Sequence, residues 1–95
     1  MITAKQTHRG QYRRYGDFFR VWEIETDESE EAVREYCFTE LYKKEDMPTC
    51  AEWKAAIRLP DGERCHDPAY YFRGYYYLTK TEAGYTFTVC EPYAD

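Results

Sequence analysis

The chain has 95 residues, which is enough for one domain with a single hydrophobic core. Aromatic residues make up 19% of it, and because each buried ring covers a large area, we expect an ordered domain rather than a disordered chain. The net charge of -5, from 13 basic and 18 acidic residues, disfavours a general nucleic-acid-binding protein.

The sequence shows no targeting or membrane-spanning signal. Met1 to Gly10 is polar and lacks the apolar stretch of a signal peptide. No window approaches the roughly 18 apolar residues of a membrane helix. We therefore expect a cytoplasmic protein without membrane contact, whose four cysteines are reduced.

The first predicted element is a strand over Phe18–Glu25, a stretch rich in aromatic and β-branched residues. Apolar side chains occur on both of its faces, with Phe18, Trp22 and Ile24 on one and Phe19 and Val21 on the other. We assign the Trp22/Ile24 face to the core. The turn-like residues around Gly16 either separate this strand from an additional one over residues 5–14 or mark a bulge.

A long helix is predicted over Glu28–Lys44. Asp27 and Glu30 have the spacing of a capping box, and acidic residues crowd the first turn, where the helix dipole favours them. Apolar or small side chains recur at helical spacing, at Val33, Tyr36, Cys37 and Leu41. The acidic residues of the first turns most simply form a solvated face.

A short second helix is predicted over Cys50–Arg58. Thr49 and Glu52 form another capping-box pattern, and Trp53, Ala56 and Ile57 make a short apolar stripe. A polar loop then runs to Pro68.

The last predicted element is a β-hairpin whose turn lies at Thr81–Gly84. If Lys80 pairs with Tyr85, the period of two in a strand divides the side chains strictly between two faces. The predicted core face carries Phe72, Tyr76, Leu78, Tyr85, Phe87 and Val89. The opposite face carries Tyr71, Arg73, Tyr75 and Tyr77.

This order of elements predicts one α+β domain over residues 1–95. We expect an antiparallel sheet of three or four strands, in the chain order β-α-α-β-β with room for an extra strand at the amino-terminal end. One long helix and one short helix pack on one face of this sheet.

The sequence offers little for metal binding or catalysis. Structural zinc ligands usually come in close pairs, but the candidate ligands are far apart except for Cys65-His66; they are Cys37, Cys50, Cys65, Cys90, His8 and His66. Adjacent side chains tend to diverge, so we do not expect Cys65 and His66 to form a nucleophile–base pair. No phosphate-binding glycine loop or hydrolase motif is present. We expect no metal, no cofactor and no enzymatic activity.

The second face of the hairpin has the most functional interest. Tyrosine and arginine are enriched in protein interfaces, and an exposed aromatic patch often marks a binding site. We therefore predict a non-enzymatic protein-interaction module that binds a protein partner or itself, as a homodimer, through Tyr71, Arg73, Tyr75, Tyr77 and Phe19. The structural alternative is that another segment or an identical subunit covers this face.

Two other functions stay open. The acidic face formed by Glu28, Glu30, Glu31 and Glu35 would suit an inhibitor of a nucleic-acid-binding protein or defence nuclease. The hairpin face that carries Tyr71, Arg73, Tyr75 and Tyr77 would suit stacking of single-stranded bases, although the negative net charge disfavours nucleic acid as a partner. In composition the chain resembles small accessory proteins of phages and conjugative elements. Such proteins are often inhibitors or adaptors, so the resemblance favours a binding function.

Overall fold

The computed structural model describes residues 1–12, 17–42, 49–59 and 75–91. These residues confirm an α+β fold, with five strands rather than the three or four expected. The strands are β1 (Thr3–Tyr12), β2 (Phe18–Glu25), β3 (Ala56–Ile57), β4 (Tyr75–Lys80) and β5 (Gly84–Glu91). The helices are α1 (Glu30–Tyr36), which continues as a π-helical segment (Cys37–Tyr42), and α2 (Cys50–Lys54).

The five strands form one sheet in the order β3-β1-β2-β5-β4. Neighbouring strands are antiparallel except β1 and β3, which pair in parallel. Strand β1 confirms the additional amino-terminal strand, although it begins at Thr3 and ends at Tyr12. Its register shifts between Gln6 and His8, while the predicted bulge position, Gly16, lies outside the described residues.

Helix α1 begins later than its acidic sequence predicts. The Thr26 hydroxyl accepts a hydrogen bond from the Glu28 backbone N–H at 3.1 Å, which places Glu28 in a turn before the helix. Ser29 is the N-cap, and its hydroxyl accepts from the Ala32 backbone N–H at 3.3 Å. The predicted cap at Asp27 is therefore wrong, because a hydroxyl two residues later takes that role. Lys44, the predicted end, lies outside the described residues.

The long helix changes its winding halfway along. From Cys37 to Tyr42 the backbone is π-helical. The Thr39 hydroxyl donates to the Glu35 carbonyl oxygen at 2.8 Å, a side-chain bond that competes with the helix ladder and often bends a helix. π-helical turns are rare and occur frequently at functional sites.

Helix α2 has the predicted capping box but ends earlier than predicted. Thr49 accepts from the Glu52 N–H, and the Glu52 side chain accepts from the Thr49 N–H. The helix ends at Lys54 instead of Arg58, because residues 56–57 pair with β1 as strand β3. The Gln11 N–H donates to the Ala55 carbonyl at 3.0 Å and leads the chain into this pairing. The strand pairing with β1 therefore outweighs the helical spacing of apolar residues that predicted a longer helix.

The hairpin of β4 and β5 has the predicted register. Lys80 pairs with Tyr85, Leu78 with Phe87, and Tyr76 with Val89. Of the predicted core residues, Tyr85, Phe87 and Val89 are buried, Leu78 is half-buried, and Tyr76 is partly exposed; Phe72 lies outside the described residues.

One sheet face carries both helices, as predicted, and is called here the helical face. Its core cluster draws on β2, β5 and the long helix; the members are Trp22, Ile24, Val33, Cys37, Tyr85, Phe87 and Val89. Helix α2 joins the same face, since Trp53 packs on Phe18 with 5.1 Å between ring centroids. The core assignment of the Trp22/Ile24 face is confirmed.

The opposite sheet face, called here the second face, is buried over part of its described area, although Glu23 and Thr79 on it are exposed. A second apolar cluster contains Phe19, Val21, Leu59 and Cys90, with Tyr12 and Ile57 packed against it. The neighbouring Thr86 and Thr88 are buried too. At these β2 and β5 positions the second face is therefore covered rather than open to water.

Candidate protein-binding surface

The predicted binding residues Tyr71, Arg73, Tyr75, Tyr77 and Phe19 are called here the aromatic platform. Most of this platform lies outside the described structure. Tyr71 and Arg73 belong to residues that are not described. For Tyr75 and Tyr77 the structure describes the backbone alone, which pairs opposite Cys90 and Thr88. Both partners are buried on the second face. The platform stays a prediction for these four residues.

Phe19, the remaining member of the predicted platform, is not available to a partner. Its side chain is 3% exposed, and its ring meets the Tyr12 ring edge-on at 6.0 Å. Leu59 belongs to the same cluster, and Ile57 packs against it. Because these residues cover it, Phe19 belongs to the core and not to a binding surface.

The predicted acidic face lies on the surface, and two of its members have partners. Glu28 lies 3.0 Å from the Met1 ammonium group, whose pKa it raises through a hydrogen bond. Glu30 lies 3.7 Å from Arg34. Glu31 and Glu35 are exposed. Exposed ion pairs of this kind contribute little to stability.

A different aromatic surface lies on the helical face, where the π-helical segment meets β4. Phe38 and Tyr42 stack with centroids 5.8 Å apart and planes 13° apart. The Tyr76 ring lies 5.8 Å from Phe38 and 5.3 Å from Tyr42. These three residues are called here the three-ring cluster. Tyr76 also meets the buried Phe87 ring at 5.7 Å, which anchors the cluster to the core.

The three-ring cluster is partly accessible to solvent. Tyr76 is 39% exposed, and Phe38 and Tyr42 are half-buried. The sequence predictions missed this surface because they placed Tyr76 wholly in the core. On the helix they followed only the stripe of Val33, Tyr36, Cys37 and Leu41. The four-residue spacing of Phe38 and Tyr42 was the available signal, since residues at i and i+4 on a helix are neighbours.

Strand β4 lies at the edge of the described sheet, next to this cluster. The Thr81 N–H donates to the Gly84 carbonyl at 2.9 Å, so this pair is hydrogen-bonded across the hairpin. Hydrogen-bonded and non-hydrogen-bonded pairs alternate along an antiparallel ladder. The backbone N–H and C=O groups of Tyr76, Leu78 and Lys80 consequently point away from β5, toward the outer edge.

Two aromatic rings of the described structure make cation–π contacts with basic side chains. The Lys80 ammonium lies 5.5 Å from the Tyr85 ring centroid, and the Arg9 guanidinium carbon lies 5.7 Å from the Phe18 centroid. The negative face of an aromatic ring attracts a cation at this range. Exposed carboxylates lie on the helix that carries two rings of the three-ring cluster, at Glu31, Glu35 and Glu40.

The described cysteines show different environments but no shared site. Cys37 is buried, and burial raises the pKa of its thiol to about 11, so it stays protonated at neutral pH. Cys90 is buried with its thiol 3.7 Å from the Asp17 carboxylate, and Cys50 is exposed. Within the described ranges, no three His, Cys, Asp or Glu side chains come together as metal ligands. Cys65 and His66 lie outside those ranges.

Comparison with protein-family models, curated proteins and solved structures gives no match. Among the described helices of this chain, none has the length and apolar character needed to cross a membrane.

Proposed function

We propose that this chain is a non-enzymatic protein-interaction module whose contact surface is the three-ring cluster and the adjoining edge of β4. The observation that carries the proposal is the exposure of Tyr76. Its ring is the most exposed aromatic side chain in the described structure, yet it is held in place by Phe38, Tyr42 and Phe87. A rigid aromatic side chain loses little conformational entropy on binding, and tyrosine is enriched among interface hot spots.

The charge of the chain favours a protein over nucleic acid as the partner. A net charge of -5 repels phosphates, whereas nucleic-acid-binding surfaces are basic. A second copy of the chain carries the same charge, so a homodimer is the less favoured arrangement. A protein-interaction module is consistent with the composition of the chain, which resembles that of small accessory proteins that are often adaptors or inhibitors.

Site-specific photo-crosslinking tests the proposal. A photoreactive phenylalanine analogue replaces Tyr76 in one variant and the exposed Lys5 of β1, far from the cluster in the sheet order, in another. Irradiation in cells of the native host should give a protein adduct from position 76 that a further Phe38→Ala change weakens. The position 5 variant should not give the same adduct. Equal adducts from both positions, or none from position 76, would contradict the proposal.

A further inference from the structure

We propose that the outer edge of β4 binds an extended, cationic segment of another protein as an added strand, with Lys or Arg side chains of that segment on the three-ring cluster. This inference rests on the proposed function and specifies the chemistry of the partner.

The backbone of β4 supplies the first reason. Tyr76, Leu78 and Lys80 direct their N–H and C=O groups to the outer edge, and no other described strand pairs there. The strand is rich in tyrosine, so it favours extended structure. An edge with these properties is the template that an extended peptide uses in strand addition, where main-chain hydrogen bonds supply affinity and neighbouring pockets supply specificity.

Charge supplies the second reason, and it selects a cationic segment. The ring faces of Tyr76 and Phe38 attract cations. Carboxylates are exposed on the same helix as Phe38, at Glu31, Glu35 and Glu40. The whole chain carries -5, so the long-range field also draws a basic segment toward the edge. A second copy of this chain and a nucleic acid would both meet like charge.

Two synthetic peptides test the inference with the full chain. One is a ten-residue peptide that alternates Arg and Val, and the other has every Arg replaced by Glu. The Arg peptide should bind and should slow hydrogen exchange at the outward N–H groups of Tyr76, Leu78 and Lys80. Its affinity should fall between 0.01 M and 0.15 M salt, where the screening length shortens from about 30 Å to about 8 Å. The Glu peptide should not bind.

A matched pair of variants at Lys80 separates strand addition from simple charge attraction. Lys80→Pro removes one outward N–H without breaking the ladder to β5, and it should weaken binding of the Arg peptide by about tenfold or more. Lys80→Ala keeps that N–H and removes a positive charge, so it should bind at least as tightly as the original chain. Circular dichroism checks that both variants remain folded. Equal affinity of the two variants would overturn strand addition.

Other results identify other occupants. Equal binding of the Arg and Glu peptides would overturn the cationic partner, and a stable dimer in analytical ultracentrifugation would assign the edge to a second copy. Binding of single-stranded DNA at low salt with protection of the same amides would assign it to nucleic acid. If position 76 crosslinks to a protein but the Arg peptide does not bind, this inference fails while the proposed function stands. If neither occurs, both fail.

Discussion

At the scale of single residues, Glu52 connects two parts of the fold through one carboxylate. One oxygen accepts from the Thr49 N–H at 3.1 Å and closes the capping box of α2. The other accepts from the Arg9 side chain, which belongs to β1. The hydrogen bond from Arg9, followed by that from the Thr49 backbone, lowers the pKa of Glu52 from its ordinary value of 4.5 to about 2. The ionised carboxylate therefore fastens α2 to the sheet.

The first prediction concerns the pH dependence of this connection. Because the pKa of Glu52 is lower in the folded protein, its charge stabilises the fold at pH values above about 4.5. That contribution is lost as the pH falls from about 4.5 toward about 2. Thermal unfolding should show that Glu52→Gln lowers the Tm at pH 7 and that the difference from the original chain shrinks at pH 2.5. A difference that stays constant over this range would contradict the role of the charge.

Unlike Glu52, which is partly exposed, Arg20 carries a buried charge. It lies 5% exposed on the helical face, and its Nη2 donates to the Glu91 carboxylate at 2.5 Å. Its buried Nε has no hydrogen-bond partner among the residues that the structure describes. The period of two in a strand places Arg20 on the same face as Trp22. Its pairing with Glu91 does not follow from the local sequence, because that contact joins β2 to the far end of β5.

At the scale of elements, the hairpin register and the start of α2 were predictable, whereas the start of α1 and the end of α2 were not. A turn at Thr81–Gly84 and a period of two are local properties, so the pairing of Lys80 with Tyr85 follows from them. Helix α2 ends early because Ile57 pairs with Tyr12 in β1, a contact that its own sequence does not encode. The three-ring cluster was missed for the same reason, since it depends on the π-helical winding and on β4 together.

The second prediction distinguishes the observed helix cap from the one that the sequence favours. Ser29→Ala removes the acceptor for the Ala32 N–H and should lower the free energy of unfolding by about 1 kcal/mol. Asp27→Ala is the matched control and should change it by less than about 0.5 kcal/mol, because Asp27 is exposed and is not the cap. Urea denaturation measures both. A larger loss of unfolding free energy from Asp27→Ala than from Ser29→Ala would indicate that Asp27 is the N-cap.

At the scale of the whole molecule, the sheet has apolar clusters on both faces. The helical face carries the larger one, and the second face carries the cluster of Phe19, Val21, Leu59 and Cys90. The sequence showed apolar residues on both faces of β2, but an antiparallel sheet commonly leaves one face in water. Whether the second face is buried or exposed to water depends on segments distant in sequence. Leu59 is one residue from such a segment that packs in the second-face cluster.

The third prediction tests this two-sided core. Phe19→Ala should destabilise the protein by about 3–5 kcal/mol, because it removes a buried ring and leaves a cavity. Phe38→Ala makes the same change at a half-buried ring and should cost clearly less. Chemical denaturation of the two variants gives the comparison. If the Phe19 variant is no less stable than the Phe38 variant, the second face is accessible and Phe19 returns to the list of binding residues.

The strand order also has a consequence for how the chain reaches this structure. β1 pairs with β2 and β4 pairs with β5 as antiparallel neighbours in the order of described strands, whereas β2 and β5 meet only after the long stretch of chain between them closes into a loop. Closing such a loop costs entropy before its contacts form, and high contact order slows folding. Each core cluster draws on both β2 and β5. We therefore expect docking of the two strand pairs to limit the folding rate and to complete both sides of the core in one cooperative step.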